Sequence, residues 1–126
     1  MRNPVPLIAR ILLCLIFFKS GIGKIMDPAG TMQYMSAYGM PLTGLFLVGA
    51  IVFEIVGALS VLLGYKARWG AILLIIFLAP TTLIFHTKFS ESLQMIMFLK
   101  NLAIIGGLLM VAYFGPGSLS FDKKGK

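Results

Sequence analysis

The sequence predicts an all-α membrane protein: an antiparallel bundle of four transmembrane helices, with a short interfacial helix between the first and second. Three observations carry this. The 126 residues are 59% hydrophobic and only 12% charged, and the mean hydropathy is +0.97, values of the membrane class. Four apolar stretches are each long enough to cross a bilayer at 1.5 Å per residue. The connections between them are short, which favours antiparallel neighbours in a single domain over residues 1–126.

The first span covers about Val5 to Met26. Arg2 gives it a charged flank, but no small-residue cleavage site follows the apolar stretch, and Leu13 rather than a small residue precedes Cys14, so the segment is expected to persist. It carries Arg10, Lys19 and Lys24. A charge at the bilayer centre costs about 2.5–3.5 kcal/mol on insertion scales, so such residues face protein or a cavity. Arg10, Cys14, Phe17, Gly21 and Lys24 share one helical face. Lys19 lies about half a turn away from Arg10 and is expected to snorkel elsewhere.

Asp27 and Pro28 offer an N-cap and a first helical residue. The stretch from Ala29 to Tyr38 is too short and polar to span, and Gly39 with Pro41 ends it. Its tyrosines and methionines suit an interfacial helix, with an irregular loop as the alternative. The second span, about 42–64, has one charge, Glu54, near its midpoint, on a face with Ala50, Gly57, Val61 and Gly64. The third, about 69–87, contains Pro80-Thr81-Thr82, where a kink is expected. The fourth, about 93–114, carries Lys100-Asn101 and is stopped by Gly115-Pro116-Gly117.

Four spans put both ends of the chain on one side, with Arg2, Lys66, Arg68, Lys123, Lys124 and Lys126; Lys24 and Lys88 fall on the other. The positive-inside rule then places N- and C-termini in the cytoplasm and the short helix and His86 at the outer face. The formal charge of +7 is scattered among spans and loops, with no basic stripe, which argues against nucleic acid as a partner. One cysteine excludes a Cys-x-x-Cys redox pair, one histidine excludes bis-histidine haem within a single chain, and no cluster has metal-ligand spacing.

Arg10, Glu54, Lys100 and Asn101 are residues an ordinary bundle does not need. By helix rise, Glu54 lies about 18 Å and Lys100 about 10 Å below the outer surface, and Arg10 about 8 Å from the cytoplasmic one. Side chains lean towards their own helix N-terminus, so Glu54 and Lys100 both lean outward and are expected to approach one another, while Arg10 is structural or ion-paired. Lys24, Lys100, Asn101 and His86 form a candidate ligand-binding set, with Glu54 as a proton relay. Such donors suit a quinone, an oxyanion or a lipid headgroup. The alternative is that Glu54, Lys100 and Asn101 only tie helices together and that Lys24 marks the headgroup boundary.

Ala9-Arg10, Ser20-Gly21-Ile22-Gly23-Lys24, Asp27-Pro28, Tyr34-Met35, Gly39-Met40-Pro41, Glu54, Gly64-Tyr65-Lys66-Ala67-Arg68, His86, Phe98-Leu99-Lys100-Asn101-Leu102 and Phe114-Gly115-Pro116-Gly117-Ser118-Leu119-Ser120 occur in an order that resembles the DoxX family over nearly the whole chain. Lys19 and Ser118 depart from its pattern. The resemblance implies a small prokaryotic membrane protein with four transmembrane helices, and a family name that comes from subunits of a thiosulfate:quinone oxidoreductase. It also implies that Arg10, Lys24, Glu54, His86, Lys100 and Asn101 occupy characteristic positions. Two classes of function stay open. One is a membrane subunit of an oxidoreductase or redox-stress complex that binds quinone in the outer half of the bundle and takes electrons from a partner protein or small reductant. The other is a non-enzymatic scaffold, lipid-binding protein or small-anion carrier. Association into a homo-oligomer is compatible with either.

Overall fold

A computed structural model describes residues 3–86 and 90–122. Arg2, Lys88, Lys123, Lys124 and Lys126, which enter the charge count above, lie outside the described residues. Five helices follow one another: α1 (Val5–Met26), α2 (Pro28–Ala37), α3 (Thr43–Leu63), α4 (Ala67–Phe85) and α5 (Ser92–Phe114). All but α2 are long and apolar enough to cross a membrane. Their outward faces carry large apolar side chains such as Leu12, Val52, Ile76 and Leu109, as a surface solvated by acyl chains requires.

The local signals act as expected at α2. The Asp27 carboxylate accepts from Gly30 N at 3.0 Å, with Pro28 in the first turn. Gly39, at φ +80, closes the other end: Gly39 N donates to the Ser36 carbonyl and Met40 N to that of Met35, a Schellman arrangement. Helix α4 begins two residues earlier than expected, at Ala67, and passes through Pro80 without a break in the helix. Thr81 and Thr82 hydroxyls donate back to the Phe77 and Leu78 carbonyls, each at 2.7 Å, so the turns around the proline gain side-chain donors.

α1 packs on α3, α3 on α4 and α4 on α5, while α1 and α5 make only slight contact. The buried core (Cys14, Phe17, Ala58, Val61, Ala71, Leu74, Leu78 and Leu108) fills the half of the bundle that holds the chain ends, hereafter the tail end. At the opposite, α2 end a smaller cluster of Met35, Leu47 and Phe85 seats α2 on the bundle. Tyr34 stacks on Phe85 with ring centroids 5.1 Å apart, and Tyr38 meets the same ring edge-on at 4.8 Å. Burial, with the adjoining Tyr38 hydroxyl, pushes the Tyr34 phenol up to about 12, so it stays neutral at physiological pH.

The tail end is organised by the exposed carbonyls of the α3 C-terminus, which a helix cannot satisfy by itself and which hydrocarbon makes costly to leave unpaired. Tyr65 N takes the Ser60 carbonyl, Gly64 N that of Val61, Phe121 N that of Leu63 and Asp122 N that of Gly64. Arg10 supplies what remains. Its Nη1 donates to Leu62 O at 2.7 Å and, more weakly, to Val61 O at 3.4 Å. Its Nη2 donates to Leu119 O at 2.6 Å and Ser118 O at 3.0 Å. Arg10 is only 2% exposed and has no carboxylate within ion-pair distance among the described residues. The expected structural role is therefore met by carbonyls and the negative end of a helix dipole, not by an ion pair. Gly64, at φ +70, is packed so closely against Ser120 and Arg10 that a Cβ has no room. Leu119 holds a left-handed φ of 57 that presents its carbonyl to Arg10.

Asp122 completes the tail contact by accepting from Lys66 N at 2.6 Å and Ala67 N at 2.9 Å, capping α4 from 55 residues away in sequence. Asp122→Ala is expected to lower stability by about 1 kcal/mol, the usual value of a carboxylate cap, measured by thermal unfolding in detergent; Asp122→Asn should retain most of it.

Candidate functional site

The core is solid at the tail end and hollow towards α2. There a cavity of about 1060 Å³ is lined by residues of all five helices, and it includes Lys24, Glu54, His86, Lys100 and Asn101. The fold thus brings every expected ligand-binding residue and the expected proton relay to one space. Arg10 is not part of it.

Glu54 is 1% exposed, and its partner is Lys24. Nζ of Lys24 donates to Glu54 Oε1 and to Ser20 Oγ, both at 2.7 Å, and lies 5.7 Å from the centroid of the Phe77 ring, within cation–π range. The expected approach of Glu54 to Lys100 is therefore corrected: Lys24 takes the carboxylate, and Lys100 is exposed on the lining of the cavity. The reason is the lean of helical side chains. α1 and α3 are antiparallel, so Lys24 leans down into the bundle while Glu54 leans up towards α2, and the two meet. Lys24 is an interior residue and not a headgroup marker. Gly21 lies in the α1–α3 contact beside this pair, and a Cβ there would stand 2.6 Å from Ile55 Cδ1 and force that side chain to move.

Asn101, 4% exposed, donates from Nδ2 to Thr82 Oγ1 at 3.0 Å and ties α5 to α4. His86 Nδ1 lies 3.0 Å from Gln94 Oε1, across the junction between α4 and α5. Among the four expected ligand-binding residues, Lys24, Asn101 and His86 thus have protein partners. Lys100 has none among the described residues.

The walls are mainly apolar, with Phe17, Phe46, Phe53, Phe77 and Ile104 among them. Two lining residues escaped the sequence reading. Lys19, expected to point elsewhere, is exposed at the rim, because a cavity this wide takes in more of the α1 surface than one helical stripe. Tyr34 lines it from α2. Chemically, the arrangement can hold an amphiphile: apolar walls for a ring or chain, the Lys100 ammonium, without a partner among the described residues, for an oxygen, and a buried carboxylate–ammonium pair beside it. No group of three or more metal-ligating side chains occurs among the described residues.

The DoxX family model matches residues 5–87, a stretch that contains Arg10, Lys24, Glu54 and His86 and stops before Lys100 and Asn101. The chain is 43% identical to inner membrane protein YqjF of Escherichia coli K12, over 93% of this chain and 88% of that protein. It is 38% identical to inner membrane protein YphA of the same organism, over 98% and 91%. It is also 33% identical to the ER-derived vesicles protein ERV29 of Saccharomyces cerevisiae, over 60% of this chain and 26% of that protein. No solved structure matches significantly. A family model that runs from the start of α1 past the end of α4, with two relatives aligned along almost their whole length, establishes that this multi-pass membrane chain belongs to the DoxX family.

Proposed function

We propose that the protein is an inner-membrane component that binds an oxygen-bearing, lipid-phase ligand of the quinone class in its α2-end cavity and serves as the membrane subunit of an oxidoreductase. The observation that carries the reading is Lys100: an ammonium without a protein partner among the described residues, on the wall of a mainly apolar cavity of about 1060 Å³. That volume accommodates a ring with part of a side chain. The names of YqjF and YphA as inner membrane proteins support the location. The charge distribution supports cytoplasmic N- and C-termini, which puts the cavity in the outer half of the bilayer.

The residues fit such a ligand. Phe17, Phe53 and Phe77 offer ring faces, and Lys100 donates a charge-assisted bond to a carbonyl oxygen. Glu54, paired with Lys24 at 2.7 Å, lies beside this position as the group through which protons pass to and from the ligand. A quinone, when bound, supplies the capacity to accept two electrons and two protons. The electrons come from a partner protein or a small reductant. Asn101 and His86 act by holding α4 and α5 in place.

Lys100→Ala tests this without disturbing the fold, since Lys100 is exposed and makes no contact that the bundle needs. Equilibrium dialysis of the detergent-purified protein against a short-chain ubiquinone should show at least about tenfold weaker binding in the variant, the scale of one charge-assisted bond. Equal binding in both proteins removes Lys100 from the site. No binding in either favours the scaffold reading, in which Lys24–Glu54 and Asn101–Thr82 only hold the bundle.

A further inference from the structure

The cavity has one weakly closed side. α1 and α5 make slight contact, and they meet where Leu13 faces Gly107, a Cβ on which would lie 3.4 Å from Leu13 Cδ1. From that point towards α2 the two helices present matching edges to the cavity: Ile16, Lys19 and Gly23 on α1, and Ile104, Lys100 and Met97 on α5. The helices are antiparallel, so the two edges run in register. Lys19 is about 9 Å and Lys100 about 10 Å above the meeting point by helix rise. Both are exposed, one on each side of the seam.

Among the described residues no acidic side chain pairs with either lysine. The acidic residues on the cavity lining are Glu54 and Asp27. Lys24 holds Glu54 at 2.7 Å, and Asp27 caps α2 through Gly30 N. His86, the remaining titratable group facing the cavity apart from Tyr34, is engaged by Gln94. Two ammoniums therefore line the same cavity from the two sides of the seam, at a depth of about 10–12 Å below the α2-end helix termini, where hydrocarbon makes an uncompensated cation costly. A negative group between them relieves both. The apolar lips above and below, Ile16 with Ile104 and Gly23 with Met97, fit an attached chain lying in the bilayer.

We propose that the α1–α5 seam is a lateral opening from the bilayer into the cavity, and that Lys19 and Lys100 form a two-cation gate selecting amphiphiles whose head carries anionic oxygen. This rests on the reading above that the cavity holds a lipid-phase ligand, and narrows it to an acidic head delivered from the membrane. Lys19 is thereby a binding residue.

The test uses the whole protein in phosphatidylcholine nanodiscs, with dodecyl phosphate as probe and dodecanol and inorganic phosphate as controls, read by native mass spectrometry. Wild type should retain dodecyl phosphate at about tenfold lower concentration than the Lys19→Ala, Lys100→Ala double variant, each single variant falling between. Dodecanol retention should be the same in all, and Lys66→Ala, at the tail end, should match wild type. Thermal unfolding of the variants at the wild-type temperature shows that the fold is kept. Equal dodecyl phosphate retention in wild type and double variant overturns the gate. Displacement of the probe by inorganic phosphate at similar concentration overturns lateral access, because the site then takes free anions from water. Dodecyl phosphate retained no better than dodecanol rejects the gate and leaves the cavity as a lipid-phase site; retention of neither amphiphile rejects both.

Discussion

Replacing Glu54 by alanine is expected to destabilise the protein by about 3–5 kcal/mol, the usual result of removing one partner from a buried pair. Lys24 has 18% side-chain exposure and Glu54 2%, so the ammonium left behind keeps Ser20 and Phe77 but loses its counter-charge inside the bundle. Glu54→Gln should cost less, since its amide oxygen still accepts from Nζ. The double variant Lys24→Met, Glu54→Leu should recover most of the loss, because a desolvated pair adds little over well-packed apolar side chains. Thermal unfolding of wild type, Lys24→Met, Glu54→Leu and the double variant in one detergent measures the coupling. A double variant as unstable as the sum of its singles would contradict the pairing of Lys24 with Glu54.

Arg10→Ala should be comparably severe, at roughly 3 kcal/mol or more. It leaves the Leu62, Ser118 and Leu119 carbonyls without donors, and each buried unsatisfied acceptor costs about 1–3 kcal/mol, less where water reaches the tail end. Arg10→Lys restores the charge but not the planar fork that reaches two pairs of carbonyls, so it should recover only part. Cys14 supplies a direct readout. It lies one turn further along α1, fully buried, with Sγ donating to Ala58 O at 3.3 Å. Maleimide labelling in native membranes should be slow in wild type and accelerated in Arg10→Ala. Unchanged labelling and an unchanged unfolding temperature would show that the tail is held by other contacts.

The four spans and α2 were legible because hydropathy and cap residues are local properties: Asp27-Pro28 and Gly39 bound α2 where expected, and the apolar runs match the long helices to within about two residues. The gathering of Lys24, Glu54, His86, Lys100 and Asn101 around one cavity was legible as a set, since residues that bilayers exclude have few other places to go. Their pairing was not. Applying the lean of side chains to Glu54 and Lys100 but not to Lys24, which was set among the ligand-binding donors, hid the contact that forms. The partners of Arg10, expected to be structural or ion-paired, were hidden for a different reason: they are main-chain carbonyls at the end of α3 and in the tail, and an acceptor common to every residue leaves no mark in sequence. The Asp122 cap of α4 is hidden likewise, because a surface-like acidic residue near the chain end carries no sign of a helix start 55 positions earlier. Lys19 could have been found by comparing depths, since it and Lys100 lie at matching levels on antiparallel helices.

The central claim is that the α2-end cavity holds a lipid-phase ligand through Lys100. Its most direct measurement is mass spectrometry of the organic extract from gently purified wild-type protein, compared with Lys100→Ala prepared identically. Quinone enriched in the wild type and reduced to background in the variant is the predicted result. Equal, background-level quinone in both would contradict it and leave the polar residues of the cavity as ties between helices.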